Sequence, residues 1–431
     1  MFTKKTIHDI DLKGKKVILH GEFDAPLTED GKHVTSDFRI ASALPSIKYL
    51  QEQDCKIVLI SKLGRPEGKV DPRQSLAPVA QKLAELLDHE VPFVSDCVGP
   101  EVREACQKLQ AGQVVMLENL RFHPEEETND KAFAQQIVDD TGAEVFVYDC
   151  FALAHRKEAG TDAITQCLPS VAGLHLAQEV TTITEVMENP KRPLAAIVGG
   201  AKIADKIDVL TKLIELADFV AVGGAMANTF LLAKGCKIGK SKHEDSDLEL
   251  AREILAKAEK KAKEGRFVFY VPQDGVVATS IDKNAHTRLV DWDADLISEV
   301  QSYPKTPDGA THTVAEDEMI LDIGPFSAAF IAGGVQLAST VIWNGTMGVT
   351  ETPALNGPVG PFAHGTELII EALTGDFGAK PFSLVGGGDT VGYIEQRKLT
   401  GAFNHVSTGG GASLELMAGR KLPGVEALQD K

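Results

Sequence analysis

Short apolar runs rich in β-branched residues alternate with longer amphipathic runs along most of the 431-residue chain. This alternation is typical of α/β units, in which helices connect parallel strands. We therefore predict an α/β fold with parallel sheets. The candidate strands are residues 16–19, 56–60, 91–93, 114–117, 145–148, 194–198, 219–222, 267–271, 319–322, 340–343, 382–385 and 405–407.

The pattern divides the chain into two halves. A helical stretch at 174–186 is followed by Asn189-Pro190-Lys191-Arg192-Pro193, which is the best candidate for a boundary. We predict an N-terminal domain at 1–173, an interdomain helix or hinge at 174–189, and a C-terminal domain at 190–411. Residues 301–318 are rich in Pro, Asp, Thr and Gly and are predicted to form a surface loop.

Charge and composition exclude several classes of protein. The formal net charge is −18, so general binding to nucleic acid or to an anionic membrane is not expected. The six cysteines are scattered without a C-x-x-C pair, which indicates reduced thiols in a cytoplasmic protein. The polar N-terminus predicts no signal peptide, and no apolar run is long enough to span a membrane.

Two glycine-rich turns follow predicted strands near the end of the chain, at 386–390 and 409–413. Consecutive glycines allow backbone N–H groups to point at one anion, and a helix starting there adds the positive end of its dipole. Asp389 supplies a carboxylate of the kind that binds Mg²⁺ beside phosphate oxygens. Neither G-x-x-x-x-G-K-[ST] nor G-x-G-x-x-G occurs at these turns, so the P-loop and dinucleotide-binding classes lose their main support.

Four arginines are placed at one predicted sheet edge in the first half. Three follow candidate strands, and the fourth opens the first predicted helix. Ligands of open parallel sheets bind beyond the carboxyl ends of the strands, and arginine suits carboxylate and phosphate groups. These residues are Arg39, Arg65, Arg121 and Arg156.

In the second half, glycines and lysines rather than arginines follow the predicted strands. Lys202 and Lys206 lie one turn apart at the predicted start of a helix over 203–216, and Glu351 could accept from ribose hydroxyls. Glycines at the strand ends should admit a bulky ligand close to the backbone. Two anion-binding faces predict phosphoryl transfer between two anionic small molecules, because this reaction needs positioning and charge neutralisation more than a nucleophile.

Long motifs resemble the phosphoglycerate kinase family over nearly the whole chain. They include Leu63-Gly64-Arg65-Pro66, Leu117-Glu118-Asn119-Leu120-Arg121-Phe122-His123, Gly199-Gly200-Ala201-Lys202, Leu321-Asp322-Ile323-Gly324-Pro325 and Trp343-Asn344-Gly345. The resemblance implies two doubly wound, Rossmann-like parallel-sheet domains joined by a hinge helix, with residues 412–431 returning to the N-terminal domain. It further implies a monomer that closes about the hinge and uses ATP or ADP with Mg²⁺.

The resemblance also implies the site residues. The acid or acyl phosphate would be held by Glu22, Phe23, Asp24, Arg39, Lys62, Leu63, Gly64, Arg65, Arg121 and Arg156. The nucleotide would be held by Gly200, Lys202, Lys206, Gly224, Gly324, Asn344, Glu351, Gly387, Gly388, Asp389 and Thr390, with Asp389 on the metal. Catalytic roles are implied for Arg39, Lys202, Gly388 and Gly411, and the N–H groups of 409–411 would receive the phosphate.

Departures from the family pattern cluster at the acid site. The usual R-V-D-F-N-V-P reads His20-Gly21-Glu22-Phe23-Asp24-Ala25-Pro26, and Lys62 stands where histidine is usual. An ionised Asp24 only accepts hydrogen bonds, whereas an asparagine amide also donates them. Three hypotheses follow: phosphoglycerate kinase activity, a related kinase acting on a different acid, and a nucleotide-binding homologue without catalysis.

Overall fold

The computed structural model describes residues 2–292 and 313–431. The chain forms two compact units, one of Met1–Thr184 with Gly411–Lys431 and the other of Glu185–Gly410. Each contains a six-stranded parallel sheet flanked by helices. The α/β prediction is therefore confirmed. Among the described helices, none combines the length and apolar character that a membrane span requires.

The sheet of the first unit has the strand order β3-β4-β2-β1-β5-β6. Its strands are β1 (Lys16–His20), β2 (Lys56–Ile60), β3 (Phe93–Val94), β4 (Val114–Leu117), β5 (Val145–Tyr148) and β6 (Ser170–Ala172). Its helices are α1 (Phe38–Glu52), α2 (Ala77–Leu87), α3 (Pro100–Lys108), α4 (Lys131–Thr141), α12 (Gly411–Met417) and α13 (Pro423–Glu426), while α5 (Leu174–Glu188) runs past the end of the unit at Thr184.

The sheet of the second unit has the order β15-β14-β13-β7-β8-β9. Its strands are β7 (Leu194–Val198), β8 (Phe219–Val222), β9 (Val268–Tyr270), β13 (Thr340–Asn344), β14 (Phe382–Gly386) and β15 (His405–Val406). Its helices are α6 (Ile207–Leu216), α7 (Gly224–Ala233), α8 (Leu248–Glu264), α9 (Pro325–Leu337), α10 (His364–Thr374) and α11 (Gly388–Gln396).

Local signals explain why these elements begin and end where they do. The central strand β1 is buried at every residue after Lys16, as expected where helices cover both faces of a parallel sheet. Helix α4 is preceded by Asp130, whose carboxylate accepts from the N–H of Phe133 at 2.8 Å, and is followed by Gly142 in the left-handed conformation. A side-chain cap and a glycine stop thus frame the helix.

The second unit departs from the prediction in one respect. The predicted strand at 319–322 is β12 (Met319–Ile323), but it pairs antiparallel with β10 (Asp274–Ala278) in a separate three-stranded sheet. The outer strand β11 (Arg288–Asp291) completes this sheet, and neither β10 nor β11 was predicted. Within the predicted loop at 301–318, residues 301–312 lie outside the described residues, and 313–318 form bends and turns.

Candidate active site

The carboxyl ends of four adjacent strands bring the predicted acid-binding loops to one edge of the first sheet. Strands β4, β2, β1 and β5 are consecutive and parallel, so the segments that follow them begin side by side. Arg121, Arg65 and Arg156 lie in three of these segments, and Arg39 lies in the first turn of α1. Parallel pairing, rather than proximity in sequence, makes these loops neighbours.

Asp24 holds Arg39 at this edge. The guanidinium of Arg39 donates to the carboxylate of Asp24 in a short charged hydrogen bond and also contacts its carbonyl oxygen at 3.4 Å. Burial raises the pKa of Asp24 to about 6, against the opposing charge of Arg39. The arginine predicted to neutralise the transferred phosphoryl group is therefore already paired with a carboxylate of this chain.

A second carboxylate, Glu158, contacts two more of the predicted arginines. Its Oε1 lies 3.3 Å from Nη2 of Arg121 and 3.5 Å from Nη1 of Arg156. Arg121 also donates to the carbonyl of Gly64 at 2.9 Å. Arg65 is exposed, and no ion pair to it is found in residues 2–292 and 313–431. Of the four arginines, Arg65 therefore has the least neutralised charge.

Lys62, which the resemblance places at the acid site, has no exposed surface in this structure. Its ammonium group lies 2.7 Å from Glu126 and 2.6 Å from Glu158. Burial raises the pKa of Glu158, but the charges of Lys62 and the neighbouring arginines outweigh burial and lower it to about 2. The lysine is thus enclosed by two internal carboxylates in this conformation.

Glu22 and Phe23 are also fully buried, so direct contact with a substrate is not available to them in this conformation. The Glu22 carboxylate accepts from the N–H groups of Phe151 and Ala152 at 3.1 and 3.2 Å, and lies 3.2 Å from Nε2 of His175. Burial by itself would lower the pKa of His175, but the hydrogen bond and charge of Glu22 raise it to about 9. Glu22 therefore anchors the loop after β5.

Asn119 shapes the segment that carries Leu63 and Gly64. Its side chain accepts from the N–H of Leu63 at 3.1 Å and donates to the carbonyl of Leu63 at 2.7 Å. Gly64 has φ = +62°, and a Cβ there would lie 1.9 Å from Oε1 of Gln74. Leu63 and Gly64 therefore maintain the backbone conformation of the loop that presents Arg65.

A cavity of about 260 Å³ occupies the predicted nucleotide region of the second unit. Four of the predicted residues line it, together with Asn228, Leu231 and Ile320 among others. Those four are Gly200, Gly224, Glu351 and Asp389. The remaining predicted nucleotide residues lie outside the lining, and several of them have other structural partners.

Lys206 is one of the predicted nucleotide residues with other structural partners. Its ammonium group is bound to backbone and amide oxygens. It donates to the carbonyl of Gly199 at 2.5 Å, and to the carbonyl and side-chain oxygens of Asn344 at 3.1 and 2.7 Å. Burial lowers the pKa of Lys206 to about 8, although Asp389 opposes the shift. The Nδ2 of Asn344 is a buried donor without a partner in the described structure, as expected of a group that awaits a ligand.

Lys202 points elsewhere, which corrects the prediction that both lysines open one helix. The α-helix begins only at Ile207, after a 3₁₀ turn at Ala204–Lys206. Lys202 precedes that turn, is half exposed, and lies 3.5 Å from Glu244. The two lysines therefore do not share a helix face, and Lys202 is the more exposed of the two.

Several strand-end glycines allow loops to approach one another closely. A Cβ on Gly199 would lie 2.1 Å from the carbonyl oxygen of Thr346, and one on Gly224 would lie 2.8 Å from the amide nitrogen of Gly200. Gly324 is packed against Asp274, with a Cβ separation of 2.2 Å. The close approaches at Gly199 and Gly224 are between backbone atoms of the loops that follow β7, β8 and β13.

The two late glycine turns keep the predicted strand–turn–helix arrangement. Gly387 has φ = +93° and precedes α11, which begins at Gly388, and Asp389 is exposed in its first turn. Thr390 is buried and accepts from the N–H of Gly345 at 2.9 Å, so it holds the neighbouring loop. In the second turn the N–H of Gly409 donates to Ser407 at 3.1 Å, whereas Gly411 is exposed at the start of α12.

A separate group of possible metal ligands lies beyond β3. Atoms of Asp96, Cys97 and His123 lie within 4.8 Å of one another. His123 and Asp96 are already hydrogen bonded at 2.7 Å, and burial raises the pKa of the Cys97 thiol well above its ordinary value. Internal hydrogen bonding accounts for this cluster, since a protonated, fully buried thiol is a poor ligand.

Known proteins resemble the chain over its full length. The family model described as phosphoglycerate kinase matches residues 7–420. The chain belongs to the phosphoglycerate kinase family. Phosphoglycerate kinases of Moorella thermoacetica and Pelotomaculum thermopropionicum are each 42% identical over 428 residues, covering 99% of this chain and 100% of each relative.

Solved structures agree with this assignment. The chain matches the phosphoglycerate kinase of Coxiella burnetii at 32% identity with a TM-score of 0.78, covering 98% of each chain. It matches that of Pyrococcus horikoshii at 29% identity with a TM-score of 0.79, covering 99% of this chain and 98% of the other. The α/β architecture is therefore that of the phosphoglycerate kinase family.

The charged residues that pair with the predicted site residues were not predicted from the sequence. Glu126, Glu158 and His175 each bind a predicted site residue but do not directly follow a predicted strand. One signal was available, because Glu22 and Lys62 each lie two residues after a buried strand, and charged residues are rarely buried unpaired. Such residues require buried partners of opposite charge.

Proposed function

We propose that this protein is a phosphoglycerate kinase, which transfers a phosphoryl group reversibly between 1,3-bisphosphoglycerate and ADP to give 3-phosphoglycerate and ATP. The observation that carries the proposal is family membership over residues 7–420, with named relatives covered end to end. The arginine edge of the first unit and the glycine-rich turns of the second unit support it, because they provide cationic and backbone donors for two anionic substrates.

Within the first unit we assign the acid to Arg39, Arg65, Arg121 and Arg156. Glu22, Phe23 and Lys62 act as positioning residues in this proposal, since they are buried. Asp24, Leu63 and Gly64 shape the same edge through Arg39 and Arg121. In the transfer, Arg39 neutralises charge on the phosphoryl group in flight, for which it must exchange Asp24 for the substrate.

Within the second unit we assign the nucleotide to the cavity lined by Gly200, Gly224 and Glu351. Lys206, Asn344, Gly324, Gly387 and Thr390 hold the surrounding loops, and Lys202 is the exposed cation available to the transferred group. The N–H groups of Gly388 and Gly411, at helix starts, are the proposed donors to phosphate.

Asp389 fits a magnesium ion. It is an exposed carboxylate in the first turn of α11 and lines the cavity. Mg²⁺ commonly takes one or two carboxylates and completes its shell with waters and phosphate oxygens. The ion would neutralise nucleotide phosphates when bound. Asp389 would hold it there.

Direct transfer requires the two substrates to meet, and we propose that closure about the predicted hinge at 174–189 brings them together during turnover. We further propose a cytoplasmic monomer with reduced thiols, which agrees with six cysteines that form no disulfide. Neither nucleic acid nor a membrane surface is a proposed partner, given the net charge of −18.

A coupled assay with 3-phosphoglycerate and Mg-ATP tests the proposal by following ADP release. Turnover that requires both substrates is expected. Absence of turnover with 3-phosphoglycerate, in a protein that binds ATP by calorimetry, would contradict it and favour a non-catalytic homologue.

A second candidate, a kinase of the same class acting on a different acid, is favoured by the carboxylates paired with the arginines. Screening small hydroxy acids for ADP release separates the two candidates. Asp24→Asn should move the acid preference toward 3-phosphoglycerate, because an amide adds a donor and removes a negative charge. An unchanged acid profile would count against a specificity role for Asp24.

A further inference from the structure

The cations of the acid-binding edge are largely satisfied by carboxylates of the chain itself. One carboxylate, Glu158, lies at the centre of this arrangement and contacts Lys62, Arg121 and Arg156 at 2.6, 3.3 and 3.5 Å. It is buried, and all three of its cationic partners come from different strand-end segments. Glu158 thus occupies the position that an anionic ligand of these arginines would take.

The surroundings hold Glu158 in place. Its own N–H donates to Thr161 at 3.0 Å, and Lys62 is locked between it and Glu126, which accepts from the N–H of Gly160 at 2.9 Å. Nδ1 of His20 donates to the carbonyl of Gly160 at 2.6 Å, and burial together with the charge of Lys62 lowers the pKa of His20 to about 3. His20 is therefore neutral and does not compensate the negative charge of Glu158.

We propose that Glu158 is a specificity-determining residue that competes with the phosphate of the acid substrate for Arg121 and Arg156. This inference rests on the proposed function, because it assumes that the acid binds at this edge. In this proposal the phosphate, as the dianionic group, binds both guanidinium groups and must displace Glu158 from them, whereas an acid that binds through a carboxylate to Arg39 alone does not need to do so. Glu158 therefore weakens the binding of phosphorylated acids more than that of unphosphorylated acids.

The contacts of Glu158 indicate which substitution would remove its competition with a bound phosphate. Removing the charge of Glu158 leaves Lys62 paired with Glu126, so no buried cation is left alone. Arg121 keeps its contacts with Gly64 and Glu127, and Arg156, which loses its ion pair with Glu158, is partly exposed to solvent. Glu158→Gln is therefore the perturbation that changes the competition with the least damage to packing.

Glu127 provides a matched control on the same arginine. Its carboxylate lies 3.4 Å from Nε of Arg121 but is half exposed, so solvent already screens it. Glu127→Gln removes one negative charge from the same neighbourhood without freeing Arg156. A general electrostatic effect would appear in both variants, and competition for the arginine pair only in Glu158→Gln.

The experiment measures binding and turnover separately. Titration calorimetry without nucleotide gives affinities for 3-phosphoglycerate and for glycerate, and the ADP-release assay gives KM for the same acids and for Mg-ATP. In Glu158→Gln we expect 3-phosphoglycerate to bind about tenfold or more tighter, with glycerate and Mg-ATP changed by less than about threefold. Glu127→Gln should change all of them by less than about threefold.

If Glu158→Gln bound both acids more tightly by the same factor, or bound 3-phosphoglycerate no more tightly than the wild type does, the inference would be overturned. This holds even if turnover establishes the proposed function. Tighter binding of 3-phosphoglycerate without any ADP release would support the inference and contradict the proposed function. If Glu158→Gln fails to fold, Glu158→Asp tests the same competition, because it retracts the carboxylate by one methylene from arginines already 3.3 and 3.5 Å away. It should strengthen phosphoglycerate binding in the same direction and by a smaller factor.

Discussion

Replacing Lys62 by methionine should be among the most destabilising changes available at this edge. Lys62 is fully buried, and its ammonium group lies 2.7 and 2.6 Å from two carboxylates with little or no exposure, Glu126 and Glu158. Methionine fills a similar volume but leaves both carboxylates without this cation. Glu158 keeps two arginines, whereas Glu126 keeps, among the described residues, the backbone N–H of Gly160.

The expected loss follows from the cost of an uncompensated buried charge. Removing one partner of a buried ion pair typically costs about 3–5 kcal/mol. At about 2–4 °C per kcal/mol for a unit of this size, the midpoint should fall by ~6–20 °C. Lys108→Met is the matched control: Lys108 pairs with Glu104 at 2.6 Å, but both are largely exposed, so the change should cost less than about 1 kcal/mol.

The deficit should also depend on pH. In the wild type the pKa of Glu158 is held at about 2, so its stabilising contribution is present above the unfolded value of 4.5 and is lost as pH falls toward 2. Without Lys62, Glu158 loses one of the charges that lower its pKa, so the pKa of Glu158 should be higher in the variant. The deficit of Lys62→Met should then be greatest at neutral pH and shrink as pH is lowered toward 5.

Thermal and urea unfolding followed by far-UV circular dichroism at pH 5 and 7 measure these effects. Both tryptophans, Trp292 and Trp343, lie in the second unit, so their fluorescence follows that unit separately. A loss below about 1 kcal/mol at pH 7, or a deficit that grows toward pH 5, would refute the view that Lys62 compensates two buried charges.

Three further predictions concern the proposed reaction and its pH dependence. Lys202→Ala should lower kcat by about tenfold or more with a smaller change in KM for Mg-ATP, because its contact strengthens in the transition state; a variant that lost only affinity would contradict this. Asp389→Asn should raise the Mg²⁺ concentration needed for half-maximal activity by about tenfold while leaving the unfolding midpoint within a few degrees, which a magnesium titration and a melting curve would check. The pKa of His175 is raised to about 9, so the ion pair of protonated His175 with Glu22 stabilises the fold fully below pH 6.5, and this contribution is lost as pH rises through 9. Over that range the free energy of unfolding of the wild type should fall by of order 1–3 kcal/mol more than that of His175→Gln. Equal decreases would exclude the ion pair with Glu22 as the cause.

Strand-level predictions succeeded where the local pattern was strong. The strands at 56–60, 114–117, 145–148, 194–198 and 219–222 agree with the structure at both ends. Three strands were not predicted, at Ser170–Ala172, Asp274–Ala278 and Arg288–Asp291. Ser170–Ala172 is only three residues long, and the other two strands pair antiparallel, whereas the prediction was of parallel strands.

The helix predicted from 203 illustrates a limit of pattern reasoning. An apolar periodicity runs through Ile203 and Ile207, but the chain forms a 3₁₀ turn first, with Lys206 bound to the oxygens of Gly199 and Asn344. Asn344 is 138 residues away in sequence. A hydrogen bond at that separation cannot be inferred from a local window, so the direction of the lysine was decided by the tertiary structure.

The residue pattern alone determined that this chain alternates strands and helices and that arginines and glycine turns follow the strands. Burial of apolar faces and the backbone demands of glycine are local properties, which is why they can be inferred from sequence. Only the tertiary structure decided that Glu22 and Lys62 face inward, and that Glu126, Glu158 and His175 neutralise them. Charge pairing depends on distances of a few ångströms between segments far apart in the chain, and those distances arise only when the sheet has formed.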